Sequence, residues 1–178
     1  SFPVNLAGWI LSDGEASDTL IGLDQGALAL PHQYVLIMDP DYFSSGSPTY
    51  DGLVPESALV ITISGSTLGS RGLSNSTAET VSLLNPQGSI VSSYTYTLGN
   101  IGGRSDERIL MTAGDDSTNW ADALSQHGTP GSRNSVTPPE RDLGRHRHAR
   151  GSHLVRGSRQ LAFALVPQAV QEAGRRRV

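Results

Sequence analysis

The sequence predicts an all-β chain: a β-sandwich over residues 1–135, then a Pro-led linker and a mostly disordered Arg/His-rich tail over 136–178. Three observations predict it. Short runs of alternating apolar residues recur between clusters of Gly, Pro, Asn and Ser, the pattern of a sandwich rather than of βαβ units. Hydrophobic residues are 37% and charged residues 17% of the chain, so its many Ser, Thr and Gly residues suit a β module better than a helical one. At Val136-Thr137-Pro138-Pro139 the composition changes abruptly, and the segment beyond these prolines cannot bury enough apolar surface to offset its own ordering.

Residues 5–12 read as the first strand, with Trp9 and Leu11 on one face and Ile10 on the other. Asp13-Gly14 turns the chain into a second strand, Thr19 to Leu23, and the two form a hairpin. Ala27 to Leu30 and Gln33 to Met38 come next, separated by Pro31. The latter is nearly continuous in apolar residues, as a central strand between two layers is. Asp39 to Glu56 is polar and longer than an ordinary turn, which marks a functional loop or an insertion. In Ala58 to Ile63 the alternation points Leu59, Ile61 and Ile63 inward. A second Gly/Ser-rich loop, Ser64 to Asn75, leads to the clearest hairpin. Val81 and Leu83 alternate with Ser82, and Asn85-Pro86-Gln87-Gly88 suits a type I turn, because proline presets φ at its second position and glycine suits its fourth. Ile90, Ser92, Tyr94 and Tyr96 then share one face. Leu98 to Arg104 is a glycine loop, Arg108 to Met111 a last short strand, and Trp120 is expected in a helical turn plugging one end. No repeat of fixed period is present.

Five pieces of this pattern resemble the lamin tail domain, in the family's order. They are Leu6-Ala7-Gly8-Trp9-Ile10-Leu11-Ser12-Asp13; Leu30-Pro31 with Tyr34-Val35-Leu36-Ile37; the stretch from Gly72-Leu73-Ser74-Asn75-Ser76 through the Asn-Pro-Gln-Gly turn to Tyr96; Glu107-Arg108-Ile109 with Trp120; and Gly128-Thr129-Pro130-Gly131-Ser132-Arg133-Asn134. The resemblance spans residues 4 to 135 and implies an immunoglobulin-like sandwich. It also implies a non-catalytic binding or attachment module. With no heptad rod in the chain, it resembles the prokaryotic version, found in secreted or cell-surface proteins beside hydrolase or nuclease domains. The implied location is extracellular or cell-surface, and the implied partner is a protein or a cell-surface polymer. The family opens with a further strand pair before its L-x-G-W motif, and here only five residues precede Leu6. The expectation is therefore a chain truncated at its N-terminus, or one that begins inside a larger protein.

Charge divides the chain as composition does. Residues 1–139 carry fourteen carboxylates against Arg71, Arg104, Arg108 and Arg133, and the remainder carries nine arginines against three carboxylates. An acidic front disfavours phosphate backbones, so nucleic acid is not expected on residues 1–139. The alternative function is a nucleic-acid-binding module that uses the Arg-rich tail. All thirteen fixed cations are arginine. The absence of cysteine excludes disulfides, thiolate-ligated zinc and thiol nucleophiles. No stretch approaches the roughly 20 apolar residues of a membrane span.

No catalytic, cofactor-binding or metal residue is predicted, and the chain is not expected to be an enzyme. Calcium is the one ion its acids suggest, at Asp39, Asp41, Asp51 and Glu56, with Asp115-Asp116 a similar case. Their spacing matches no EF-hand loop, and solvated loop acids are the simpler reading. His146, His148 and His153 form an Arg-flanked tract in which neighbouring guanidinium groups would repel a cation. His32 and His127 lie in or beside loops, and no G-x-S-x-G elbow ties either to a serine. Gly99 to Arg104 lacks the phosphate-loop pattern and reads as a hairpin loop. Asn75-Ser76-Thr77 has the form of a glycosylation sequon but reads as a capped turn. Trp9 and Trp120 are expected to be buried rather than ligand-stacking.

Overall fold

The computed structural model describes residues 2–44, 49–69 and 71–139, together with the backbone of Phe163–Ala164. The expectations of a disordered tail, a histidine metal tract and an Arg-rich nucleic-acid contact fall outside these residues.

The chain is mostly β. Its strands are β1 (Val4–Asn5), β2 (Ile10–Ser12), β3 (Ser17–Gly22), β4 (Leu28–Ala29), β5 (Val35–Met38), β6 (Leu59–Ile63), β7 (Thr80–Leu84), β8 (Ile90–Thr95), β9 (Asp106–Arg108), β10 (Trp120–Asp122) and β11 (Phe163–Ala164). Among the described residues the one α-helix is short, α1 (Pro40–Ser44), and follows β5. Six strands in the order β5-β6-β3-β2-β7-β8 curl into a half-barrel, and β11 lies parallel to β5 outside them. Two small antiparallel pairs, β1–β4 and β9–β10, complete the fold.

The concave face follows from register. Cross-strand partners share a face, so Leu83 opposite both Leu11 and Ser92, and Val81 opposite Tyr94, line up across β2, β7 and β8. Leu20 opposite Ile63, and Leu59 and Ile61 opposite Val35 and Ile37, continue this across β3, β6 and β5. The aliphatic residues of these pairs join Leu6, Ala27 and Ala29 in one buried core, with Trp9 and Tyr96 packed at its margin. All four residues of β5 are buried, as its continuous apolar run predicts.

The structure modifies several expectations. Residues 5–12 are two strands, because Gly8 adopts φ +81° and Trp9 N donates to the Leu6 carbonyl, turning the chain between β1 and β2. β1 then pairs with β4. β5 and β6 run parallel, which a hairpin cannot achieve. The long polar stretch after Met38, with α1 in it, is the crossover this pairing requires. The predicted hairpin forms with its predicted turn. Gly88 N donates to the Asn85 carbonyl at 2.9 Å, Asn85 Oδ1 accepts from Gln87 N and Ser89 N, and Gly88 takes φ +78°. Its facing is different, however. A bulge lets Leu84 oppose Ile90 while Leu83 opposes Ser92, so the extra residue turns Ile90 out to 64% exposure while Tyr94 stays inside at 8%. Trp120 follows a 3-10 turn, Ser117–Asn119, rather than sitting in it, and opens β10.

Candidate functional site

The core fills only part of the half-barrel. Toward β7 and β8 the concave face opens into a cavity of about 270 Å³. Its floor is aliphatic: Leu11, Val35, Ile37, Val81 and Leu83. Its walls are aromatic: Tyr34, Tyr50, Tyr94, Tyr96 and Trp120. Arg104, Arg108 and His127 also line it.

The β9–β10 pair forms the roof. Arg108 is opposite Trp120 and Asp106 opposite Asp122, so these four share one face, while Glu107 opposite Ala121 lies on the other. The first face packs onto β8. The Trp120 and Tyr94 rings stack with centroids 3.7 Å apart at 15°, and Tyr94 Oη donates to Asp106 Oδ2 at 2.9 Å. Asn100 Nδ2 donates to Asp106 Oδ1. The second face receives the returning chain. Buried Glu107 accepts from Thr129 N and Oγ1 through one carboxylate oxygen, and from Ser135 N and Oγ through the other. Buried Asn119 clips the 109–119 loop by pairing with both Leu110 backbone groups and with the Gly114 carbonyl. These clips hold the roof at a fixed height over the aliphatic floor.

Three buried side-chain nitrogens have no hydrogen-bond partner among the described residues, and all three belong to cavity-lining residues: Arg108 Nε, Trp120 Nε1 and His127 Nδ1. One terminal nitrogen of the Arg108 guanidinium is engaged. Its Nη2 donates to the Ala113 carbonyl and lies 3.1 Å from Asp115 Oδ1. His127 sits at φ +65°, a left-handed conformation uncommon outside glycine, with its N–H donating to the Gly103 carbonyl. Its ring meets Tyr50 edge-on, and Tyr50 contacts Tyr42 of α1.

The tyrosines are shifted toward their neutral form. Burial raises Tyr94 first, then its bond to Asp106. Burial and the neighbouring Tyr42 push Tyr50 up to about 12. Burial, then the hydrogen bond and charge of Glu79, push Tyr96 up to about 12. Tyr96 Oη lies within hydrogen-bond distance of Glu79 Oε2, the Ser74 carbonyl and the Thr77 carbonyl, which ties the chain just after β8 to the loop before β7.

The residues weighed from sequence are scattered. Asp39 accepts from Asp41 N through Oδ1 and from Leu68 N through Oδ2, Asp51 accepts from Tyr42 Oη, and Glu56 is exposed. Asp116 caps the 3-10 turn by accepting from Thr118 N, and that threonine's hydroxyl and amide lower its pKa. Among the described residues no group of three or more His, Asp or Glu is placed to hold a metal ion. His32 takes φ +62° as the third residue of a Leu30–Gln33 turn, and it does not line the cavity. Ser74 Oγ accepts from Ser76 N and Thr77 N, a capped turn as expected. The Gly99–Arg104 loop lies along the cavity and is bonded through Ile101 N to Asp122. Of the two tryptophans, Trp9 packs on the core whereas Trp120 lines the cavity. Sequence reasoning missed Tyr34, Tyr50, Arg104 and Arg108 as a group. Only the pairing of Arg108 with Trp120 across β9–β10 brings the last of these to the site, and no spacing signals it.

No helix among the described residues is long and apolar enough to cross a membrane. No family model, curated protein or solved structure matches this chain.

Proposed function

We propose that residues 2–139 form a non-catalytic binding module that takes its ligand in the cavity between the half-barrel floor and the β9–β10 roof. The observation that carries this reading is the cavity itself. It pairs an apolar floor and aromatic walls with a few polar side chains, Arg104, Arg108 and His127, the usual make-up of a small-ligand site. Aromatic walls supply contact area at little cost in side-chain freedom.

On this reading the module serves attachment, in a secreted or cell-surface protein, to a protein or a cell-surface polymer. The lamin-tail resemblance and its immunoglobulin-like sandwich belong to the same proposal. They are supported by where the motif pieces fall. Leu6, Gly8 and Trp9 make the first turn, Asn85 to Gly88 the hairpin turn, and Glu107 with Thr129 the roof anchor. The motif pieces thus supply structural supports and also part of the cavity's polar lining, Tyr94, Tyr96, Arg108 and Trp120 among it.

Methyl-resolved NMR of the full chain against a panel of small ligands tests the reading. Ligands are expected to shift the methyl signals of Ile37, Val81 and Leu83. Shifts confined to outer-face residues such as Ile21 and Ile90, or none with any ligand, would overturn it.

A further inference from the structure

We infer that the outer edge of β5 is a strand-acceptor site, which takes an extended apolar segment of another polypeptide in place of the chain's own β11. The site is a backbone edge and does not depend on the cavity reading. β5 ends the six-strand half-barrel on one side. Along its inner edge it pairs all four of its residues with β6. Along its outer edge β11 matches only two of them, Phe163 beside Val35 and Ala164 beside Leu36, in parallel. Leu59 N donates to the Tyr34 carbonyl, so Tyr34, Leu36 and Met38 aim their backbone groups at β6, and Val35 and Ile37 aim theirs outward. The four side chains of β5 are buried. What the edge offers is therefore main chain, and main-chain hydrogen bonds are what hold an added strand. The half of the edge at Ile37 and Met38 has no register partner in β11.

The opposite edge of the half-barrel is guarded, and this one is not. β8 carries a bulge, a device that spoils edge pairing. β5 has no charge or proline across Val35–Met38 and pairs with β6 in unbroken register. An unguarded apolar edge that already accepts a strand is a template for others. β11 shows what chemistry fits. It lies within residues 161–166, an uncharged apolar run, and Arg156 and Arg159 precede it in sequence. The body it joins carries fourteen carboxylates against four arginines over residues 1–139. The complement is thus an extended apolar stretch with a basic flank, long enough to cover all of β5. β11 competes with such a segment because it is tethered, which gives it an effective concentration on the order of millimolar. The resident strand is an internal competitor that a longer segment displaces.

The test titrates the full chain into a fluorescein-labelled peptide of residues 156–168, followed by anisotropy. F163P/A164P in the full chain deletes both amide donors of β11 and vacates the edge. This variant is expected to bind the peptide about tenfold or more tightly than the wild type does, because the internal competitor is gone. A peptide carrying the same two prolines keeps the charge and is expected to bind neither protein. Hydrogen exchange locates the contact: bound peptide should slow the outward amides of Val35 and Ile37. Protection of the β7–β8 amides, equal in both proteins, shows that the variant is folded. Equal affinity of wild type and variant, a proline peptide that binds as tightly as its parent, or slowing confined to other strands would overturn the proposal. So would the failure of the peptide to bind either protein. A wild-type dimer that the two prolines abolish would overturn it as well, by assigning the edge to β11 of a second copy.

Discussion

The two ends of the half-barrel are built by different chemistry. At the β6–β3 end, Leu20, Leu59, Ile61 and Ile63 close the concave face with aliphatic side chains alone, and only Val35 and Ile37 of the neighbouring β5 reach the cavity floor. At the β7–β8 end, the same face is spanned by Tyr94, Trp120 and a polar framework on Asp106 and Glu107, and space remains beneath. Branched aliphatic groups pack until no void is left. Stacked rings tied by directional bonds hold a roof at a set distance instead. One end therefore gives stability and the other keeps an opening.

Substitutions at the two ends should separate these roles. The largest effect is expected from L20A, which empties a fully buried site and should cost about 3 to 4 kcal/mol of stability. Urea denaturation reads this loss, and ligand affinity measured well below the transition should hold. E107A leaves the Thr129 and Ser135 amides without their acceptor and should cost about 2 to 3 kcal/mol. Its distinguishing sign is faster hydrogen exchange across 128–136 while β5 and β6 stay protected. Y94F keeps the stack on Trp120 and removes only the bond to Asp106, for about 1 kcal/mol. If Y94F matched L20A, the two ends would not be built differently.

The smallest effect appears only in alkali. Tyr50 and Tyr96 are raised to about 12, and Tyr94 is raised too, whereas an unfolded tyrosine ionises near 10. The folded protein thus keeps these protons when the unfolded chain has lost them. Their contribution is complete below pH about 10 and falls away as pH rises toward 12. Phenolate absorbance should show a late-titrating group of tyrosines, and Y94F should blunt the alkaline loss. Tyrosines that all ionised near pH 10 would contradict it.

The aliphatic end was the more legible in sequence. Alternation placed Leu59, Ile61 and Ile63 correctly, and the continuous run of Val35 to Met38 marked a strand buried on both sides. Pattern could not tell that β5 and β6 run parallel, because a strand's side-chain period is the same in either direction. The Asn85 turn was equally plain, yet the bulge in β8 turned Ile90 outward, since one inserted residue reverses the alternation. The aromatic end was far less legible. Tyr94 and Trp120 were each visible, but the stack between them depends on β9–β10 folding over β8. Arg108, Tyr50 and His127 meet there by tertiary return alone. The one local clue was His127-Gly128, two successive residues with positive φ.

The pairing of β2 with β7 has a consequence for the rate at which this protein folds. The β7–β8 hairpin is local, and hairpins of this kind close in about 1–10 μs. Its docking edge, however, is β2, where Leu11 must find Leu83 from far earlier in the sequence. On the other side β6 must meet β5 through a long crossover and β3 from a still earlier segment. Closing such loops costs entropy before any burial is gained. Folding should therefore be governed by topology, in the millisecond-to-second range typical of sheets with distant partners. The segment easiest to recognise would form early and wait for the first dozen residues to arrive.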